Sequence, residues 1–186
     1  MLARQDPAAH TRTYSRRADA DLPFDVTAVG ASDQVMLDTT VYIDSAKGKL
    51  PASIMALVAS YTIIHSAVAA CEIATPIGHL NPSDPRTATT APPLRGLIDA
   101  MPPTRIASPS SNAWIEAGII AGICTGTQNY GTEQRRKLLN DALIFLSAIE
   151  SQAVLISGNI SDMDLLLHFR PAARVLLYRK LGTDQR

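Results

Sequence analysis

The chain has 186 residues, of which 46% are hydrophobic and 18% charged, the profile of one soluble globular domain. Seventeen Lys and Arg balance seventeen Asp and Glu, so no global field draws nucleic acid, and any such binding needs a local patch. Two cysteines without a Cys-x-x-Cys pair and four scattered histidines give no zinc spacing.

Residues 1–33 are polar, alternate in charge and show no period, so they read as an extension that is flexible or loosely docked. Arg4, Arg12, Arg16 and Arg17 precede no apolar stretch, so the segment is not a secretory signal. The expected domain covers 34–180, and 181–186 form a C-terminal tail. Residues 35–43 read as a first buried strand, 45–51 as a loop and 52–59 as a short helix. Residues 61–65 read as extended, and Ser66 is placed to cap a helix that carries Glu72. The apolar run 54–74 contains His65 and Glu72 and has no flanking basic cluster, which makes it a poor membrane span.

Residues 75–93 are rich in Pro, Thr, Ser, Asp and Asn and read as a long surface loop. A short helix is expected at 94–101, a weak strand at 104–108 and a helix at 111–125. Gly118, Gly122 and Gly126 recur every fourth residue, which is read as close packing inside the domain in preference to a dimer face. Residues 133–150 form the strongest helix, with Arg135, Arg136 and Lys137 as a basic edge. Residues 153–157 are a continuous apolar run of buried-strand type. Asn159 and Ser161 lead into a short helix from about Asp162, and 174–178 is a last strand. Cys71 and Cys124 lie in apolar segments and read as reduced core residues, which fits a cytoplasmic protein. Strands alternating with helices imply an α/β fold with a sheet covered on both faces.

Three carboxylates stand where apolar neighbours make a charge expensive. Asp38 lies within the first strand segment, Glu72 within the run 66–74, and Asp141 beside Leu138, Ile144 and Phe145 on a helix. Asp162 follows the apolar strand at 153–157 and completes a set of four. In parallel α/β sheets, ligands bind beyond the carboxyl ends of the strands, where these positions can converge. Two unit charges about 4 Å apart repel by roughly 4 kcal/mol at an effective dielectric near 20. Divalent cations would relieve that repulsion, and oxygen-only ligands favour Mg²⁺ or Mn²⁺. Such a site suits phosphodiester hydrolysis. Structural readings stand beside this one: Asp38 as a side-chain turn ending a strand, Glu72 as an ion-pair partner, Asp141 as a solvent-facing charge and Asp162 as a helix cap. Asp164 competes with Asp162 for the same role.

The motifs carrying these residues resemble those of PIN domains. Val-Met-Leu-Asp-Thr-Thr-Val-Tyr-Ile-Asp44 resembles the opening strand, and His-Ser-Ala-Val-Ala-Ala-Cys-Glu-Ile-Ala74 the second motif. Leu-Leu-Asn-Asp-Ala-Leu-Ile144 resembles the third, and Ala-Val-Leu-Ile-Ser-Gly-Asn-Ile-Ser-Asp-Met-Asp164 the closing Thr-x-Asn-x-x-Asp-Phe. Ser157 replaces the usual Thr and Met163 the usual Phe. The resemblance covers about residues 35–178 and implies a three-layer α/β/α fold with a central, mainly parallel sheet. It further implies a Mg²⁺- or Mn²⁺-dependent ribonuclease similar to the VapC toxins, which dimerise and are silenced by a cognate antitoxin. Asp38, Glu72, Asp141 and Asp162 would hold the metal, with Ser157 and Asn159 in support. Arg135, Arg136, Lys137, Arg170 and Arg174 are candidate contacts to RNA phosphates. Two other readings are a non-catalytic PIN-like module that binds RNA or protein, and a flavodoxin-like domain for a phosphorylated ligand. The second lacks a Gly-rich loop after the first strand.

Overall fold

Every strand pairing in the computed structural model, which describes residues 5–81 and 83–182, is parallel. The strands are β1 (Gln34–Leu37), β2 (Thr62–Ser66), β3 (Ile106–Ala107), β4 (Val154–Ser157) and β5 (Val175–Leu177), in the spatial order β3-β2-β1-β4-β5. β4 and β5 are buried along their whole length, as strands covered on both faces must be. Helices α1 (Thr39–Ala46), α2 (Ala52–Ser60), α3 (Ala67–His79), α4 (Thr87–Asp99), α5 (Ser111–Thr127), α6 (Thr132–Glu150) and α7 (Ile160–Phe169) complete the three-layer α/β/α arrangement. The core is built from Met36, Leu155 and Ile156 of the sheet together with Ile120, Leu138, Phe145, Met163 and Leu166. Met163 is fully buried, and its flexible thioether packs within the core.

β1 ends at Leu37, six residues short of the strand expected to run to 43, so Asp38 lies at the strand end and not at its middle. The Asp38 carboxylate accepts the Thr39 N–H and caps α1. The β-branched residues of α1 have poor helix propensity, but Val41 and Tyr42 bury their side chains there and tertiary packing prevails. At the end of β2, Ser66 caps α3 as expected, accepting from Val68 N at 3.2 Å and Ala69 N at 3.5 Å.

The long loop expected at 75–93 is mostly helix. α3 runs through Pro76 to His79, and α4 contains Pro92 and Pro93. A proline inside a helix removes one ladder hydrogen bond, but α4 rests Leu94, Leu97 and Ile98 on the core and packs against α3. The close packing expected at the glycines of α5 is absent: a Cβ added at Gly118, Gly122 or Gly126 would meet open space. Close approach occurs instead at Gly158, where a Cβ would stand 2.8 Å from the Tyr178 ring. Cys124 is buried as expected, whereas Cys71 is exposed, because it lies on the outer side of α3; both are free thiols.

The polar segment before β1 is seated on the domain. Leu22 and Val29 enter the core, and the Leu177 N–H donates to Pro23 O at 2.7 Å. Tyr14 stacks on His168 with ring centres 4.6 Å apart. Arg17 pairs with the buried Asp164 at 2.6 Å. Composition gave no sign of this, because the contacts are few, dispersed and made to distant partners. Residues 1–4 of the extension and 183–186 of the tail lie outside the described residues. Among the described residues, no helix is long and apolar enough to cross a membrane.

Candidate functional site

The chain runs outward from β1 to β2 and β3 on one side, then to β4 and β5 on the other. The switch in direction therefore lies between the carboxyl ends of β1 and β4, where α/β sheets hold ligands. Asp38 follows β1 there, and Ser157 ends β4.

Asp38 is 1% exposed, and its Oδ2 accepts from Ser157 Oγ and from Thr40 Oγ1, both at 2.6 Å. Thr40 Oγ1 in turn accepts the Gly158 N–H at 3.0 Å, which ties the start of α1 to the turn after β4. Burial raises the pKa of Asp38, the three hydrogen bonds work against that rise, and the charge of Glu72 adds to it. Glu72 is half-buried on α3 and is oriented at both oxygens. Thr39 Oγ1 donates to Oε2 at 2.5 Å and Asn140 Nδ2 to Oε1 at 2.9 Å.

Asp141, on α6, is 5% exposed. Burial foremost, then the charges of Asp38 and Asp162, push its carboxyl up to about 9, and Lys137 offsets only part of this. Asp162 behaves oppositely. Burial opposes its ionisation, but hydrogen bonds from Lys137 Nζ at 2.7 Å and Asn159 Nδ2 at 2.9 Å outweigh it and hold the carboxyl below its ordinary value. The two carboxyls are thus pushed in opposite directions, Asp141 towards the protonated and Asp162 towards the ionised form, and Asn159 Nδ2 also reaches Asp141 at 3.2 Å.

Asp162 and Asp164 are separated by about 200° around α7. Asp162 faces Asp141, and Asp164 faces the N-terminal segment, where it accepts from both the backbone N and Nε of Arg17. This places Asp162, and not Asp164, in the acidic cluster. Asp38 also does what its structural reading required, since it caps α1, while its second oxygen remains within the cluster.

The basic residues divide. Lys137 joins the cluster through Asp162, and its charge also acts on Asp141 and Asp38. Arg135 is exposed, and Arg136 stands 3.7 Å from Glu133 on the solvent side of α6. Arg170 is not brought to the site: it pairs with the buried Glu116 at 2.7 Å. Arg174 precedes β5, at the opposite end of the sheet, where it pairs with Asp33. Both arginines looked available in the sequence because their acidic partners lie 54 and 141 positions away.

The sequence reading missed Thr39, Thr40 and Asn140. The signal was present in Asp38-Thr39-Thr40 after a short apolar run, which is a helix-cap pattern once the strand is allowed to end at Leu37.

The donor set suits a hard divalent cation. It is all oxygen, it includes a carboxyl whose pKa burial first and neighbouring negative charge second push up, and the ammonium of Lys137 already occupies the cationic role at Asp162. It is not a closed cage, however: among the described residues, no three His, Cys, Asp or Glu side chains stand close enough to hold a metal ion. Closing on an ion would require side-chain rotation.

No family model matches the sequence, and no curated protein is similar to it in sequence. Solved toxin–antitoxin structures match its fold. A chain of VapBC2 from Rickettsia felis, bound to a DNA fragment from the promoter, matches at a TM-score of 0.51 and 17% identity, covering 78% of this chain and 98% of that one. VapBC-1 from nontypeable Haemophilus influenzae matches at 0.52 and 16%, covering 78% and 97%. DNA-bound VapBC from Salmonella typhimurium matches at 0.52 and 17%, covering 77% and 97%. At these identities the likeness is one of fold.

Proposed function

We propose that this chain, which has the PIN-like α/β/α fold shared with the VapBC structures, is a divalent-metal-dependent endoribonuclease and the toxin of a toxin–antitoxin pair. The observation that carries the reading is the convergence of Asp38, Glu72, Asp141 and Asp162 from four separate elements on the strand-end crevice between β1 and β4. Mg²⁺ or Mn²⁺ bound there would supply a Lewis acid and an activated water for hydrolysis of a phosphodiester. The chain's own residues prepare the site. Ser157 and Thr40 fix the rotamer of Asp38, Thr39 and Asn140 fix Glu72, and Asn159 bridges Asp141 and Asp162. Asp141, whose carboxyl is pushed up by burial, would have to give up its proton to hold a cation, so binding would be coupled to that release. Lys137, with Arg135 and Arg136 just before it on α6, offers positive charge to an RNA backbone.

The reading includes a cytoplasmic location, a homodimer and a cognate antitoxin, supported by the toxin–antitoxin nature of the matched structures. A non-catalytic module is the second reading, and the seat of Lys137 on Asp162 favours it, since an ion pair can satisfy the cluster without metal.

Asp38→Asn separates the two. Asn caps a helix as well as Asp, so the fold should persist by circular dichroism. Cleavage of RNA in Mg²⁺ or Mn²⁺, and any growth inhibition on expression, should fall by at least about a hundredfold because the metal-anchoring charge is gone. Cleavage at the wild-type rate by the variant would rule out the acidic cluster as the seat of activity.

A further inference from the structure

A cleft of about 340 Å³ opens beside the acidic cluster, between α3 and α5. Its walls are mainly apolar, with Ala67, Val68 and Cys71 on one side and Pro109 and Trp114 on the other. Glu72 and Asn140 form its boundary with the cluster, joined by the 2.9 Å hydrogen bond from Asn140 Nδ2. Trp114 is the single tryptophan of the chain and is 52% exposed. An aromatic residue of this size ordinarily buries about 150–250 Å² of surface, so the half-exposed ring, set against the apolar wall of the cleft, is free to take a further flat apolar partner.

We propose that this cleft is a nucleobase subsite, in which an unpaired RNA base stacks on the indole of Trp114 while its neighbouring phosphodiester lies at the acidic cluster. The inference rests on the ribonuclease reading, because it names where that substrate places a base. Three features select a base over other occupants. The cleft is continuous with the cluster through Glu72, so a nucleotide spans both without a gap. Its lining carries no Lys or Arg, so it fits a flat neutral ring and not a phosphate. The exposed hydroxyl of Ser108 stands at its rim, a partner for the polar edge of a base. Proteins that recognise single-stranded RNA combine these same elements, an aromatic face and a few polar groups at its edge. A base held in a duplex cannot enter, because both of its faces are already stacked.

Because Trp114 is the only tryptophan, its emission reports on this cleft alone. The full chain is titrated in Ca²⁺ with a single-stranded RNA decamer of mixed sequence carrying a 5′ fluorophore, under conditions where no cleavage is seen. Saturable quenching of Trp114 that follows the decamer's polarisation is expected, with little quenching by the same strand annealed to its complement. Trp114→Ala should weaken decamer binding by roughly 5- to 150-fold, the range found for loss of one base–aromatic stack, and Trp114→Phe should restore most of it. The exposure of Trp114 makes both variants compatible with folding, checked by circular dichroism. Decamer binding without a change in Trp114 emission overturns the proposal, as does unaltered binding by Trp114→Ala or an absence of binding by both signals. An emission shift that follows protein concentration without RNA, together with a change in sedimentation, assigns the surface to a second copy of this chain and also overturns it. The catalytic reading is judged separately by Asp38→Asn, so cleavage that survives there while Trp114 is quenched removes that reading and leaves the stacking result to stand.

Discussion

Asp141 shows how a single side chain carries both the instability and the use of the site. Its native carboxyl keeps a proton that the unfolded chain releases from the ordinary value of 3.8 upward, to about 9 in the fold. Between those limits the native state binds more protons than the unfolded state, so stability falls as pH rises through that window. Without metal, the wild-type chain should therefore melt lower at pH 8.5 than at pH 5.5. Asp141→Asn should flatten this dependence and raise the melting temperature at pH 8.5 by about 2–4 °C, the shift for 1 kcal/mol in a chain of this size. A lower melting temperature for the variant would mean that Asp141 serves as a structural partner of Lys137. Asp162 and Asp164 show a limit at the same scale. Two positions apart on a helix, they face opposite ways, and only the setting of α7 against the sheet decides which one meets Asp141.

Among the elements, the segment before β1 departs most from its appearance in the sequence. Its attachment to α7 runs through Arg17, whose partner Asp164 is 1% exposed. Removal of one member of such a pair leaves a buried charge without compensation. Arg17→Ala should destabilise the fold by about 2–3 kcal/mol, below the full figure for a buried pair because the Arg17 side chain is 35% exposed. Arg16→Ala removes only the exposed pair with Asp19 and should change stability by less than about 0.5 kcal/mol. Urea unfolding of the two variants measures the contrast, and equal midpoints would show that the segment contributes nothing through Asp164. α3 and α4 make the complementary point. Pro76, Pro92 and Pro93 read as loop residues, yet packing between the two helices and against the core holds them helical.

For the whole molecule, the acidic cluster and the fold are coupled through binding. A ligand that binds the native state alone stabilises it by about 2.7 kcal/mol at a hundred times its dissociation constant. Millimolar Mg²⁺ or Mn²⁺ should accordingly raise the melting temperature by several degrees, more at pH 8 than at pH 6 because Asp141 must lose its proton. Asp38→Asn should abolish the shift, and NaCl at equal ionic strength should not reproduce it. Calorimetric titration showing no heat at millimolar metal, with no thermal shift, would leave Lys137 as the sole counter-charge of the cluster.

The sequence by itself determined the class of fold and the candidate acids. The apolar runs at β1, β4 and β5 are short and continuous, which only strands buried on both faces require, and their alternation with helices leaves a parallel sheet as the solution. Asp38, Glu72 and Asp141 were legible because a carboxylate among apolar neighbours is costly wherever the chain is read. The tertiary structure alone decided where β1 stops, which of Asp162 and Asp164 joins the cluster, and that Arg170 and Arg174 are engaged elsewhere. It also decided that Trp114 and Glu72 border one cleft. Local pattern reports the period and polarity of an element, but the rotation of a helix about its axis, and the partner of a charge more than a hundred residues distant, are fixed only when the elements pack.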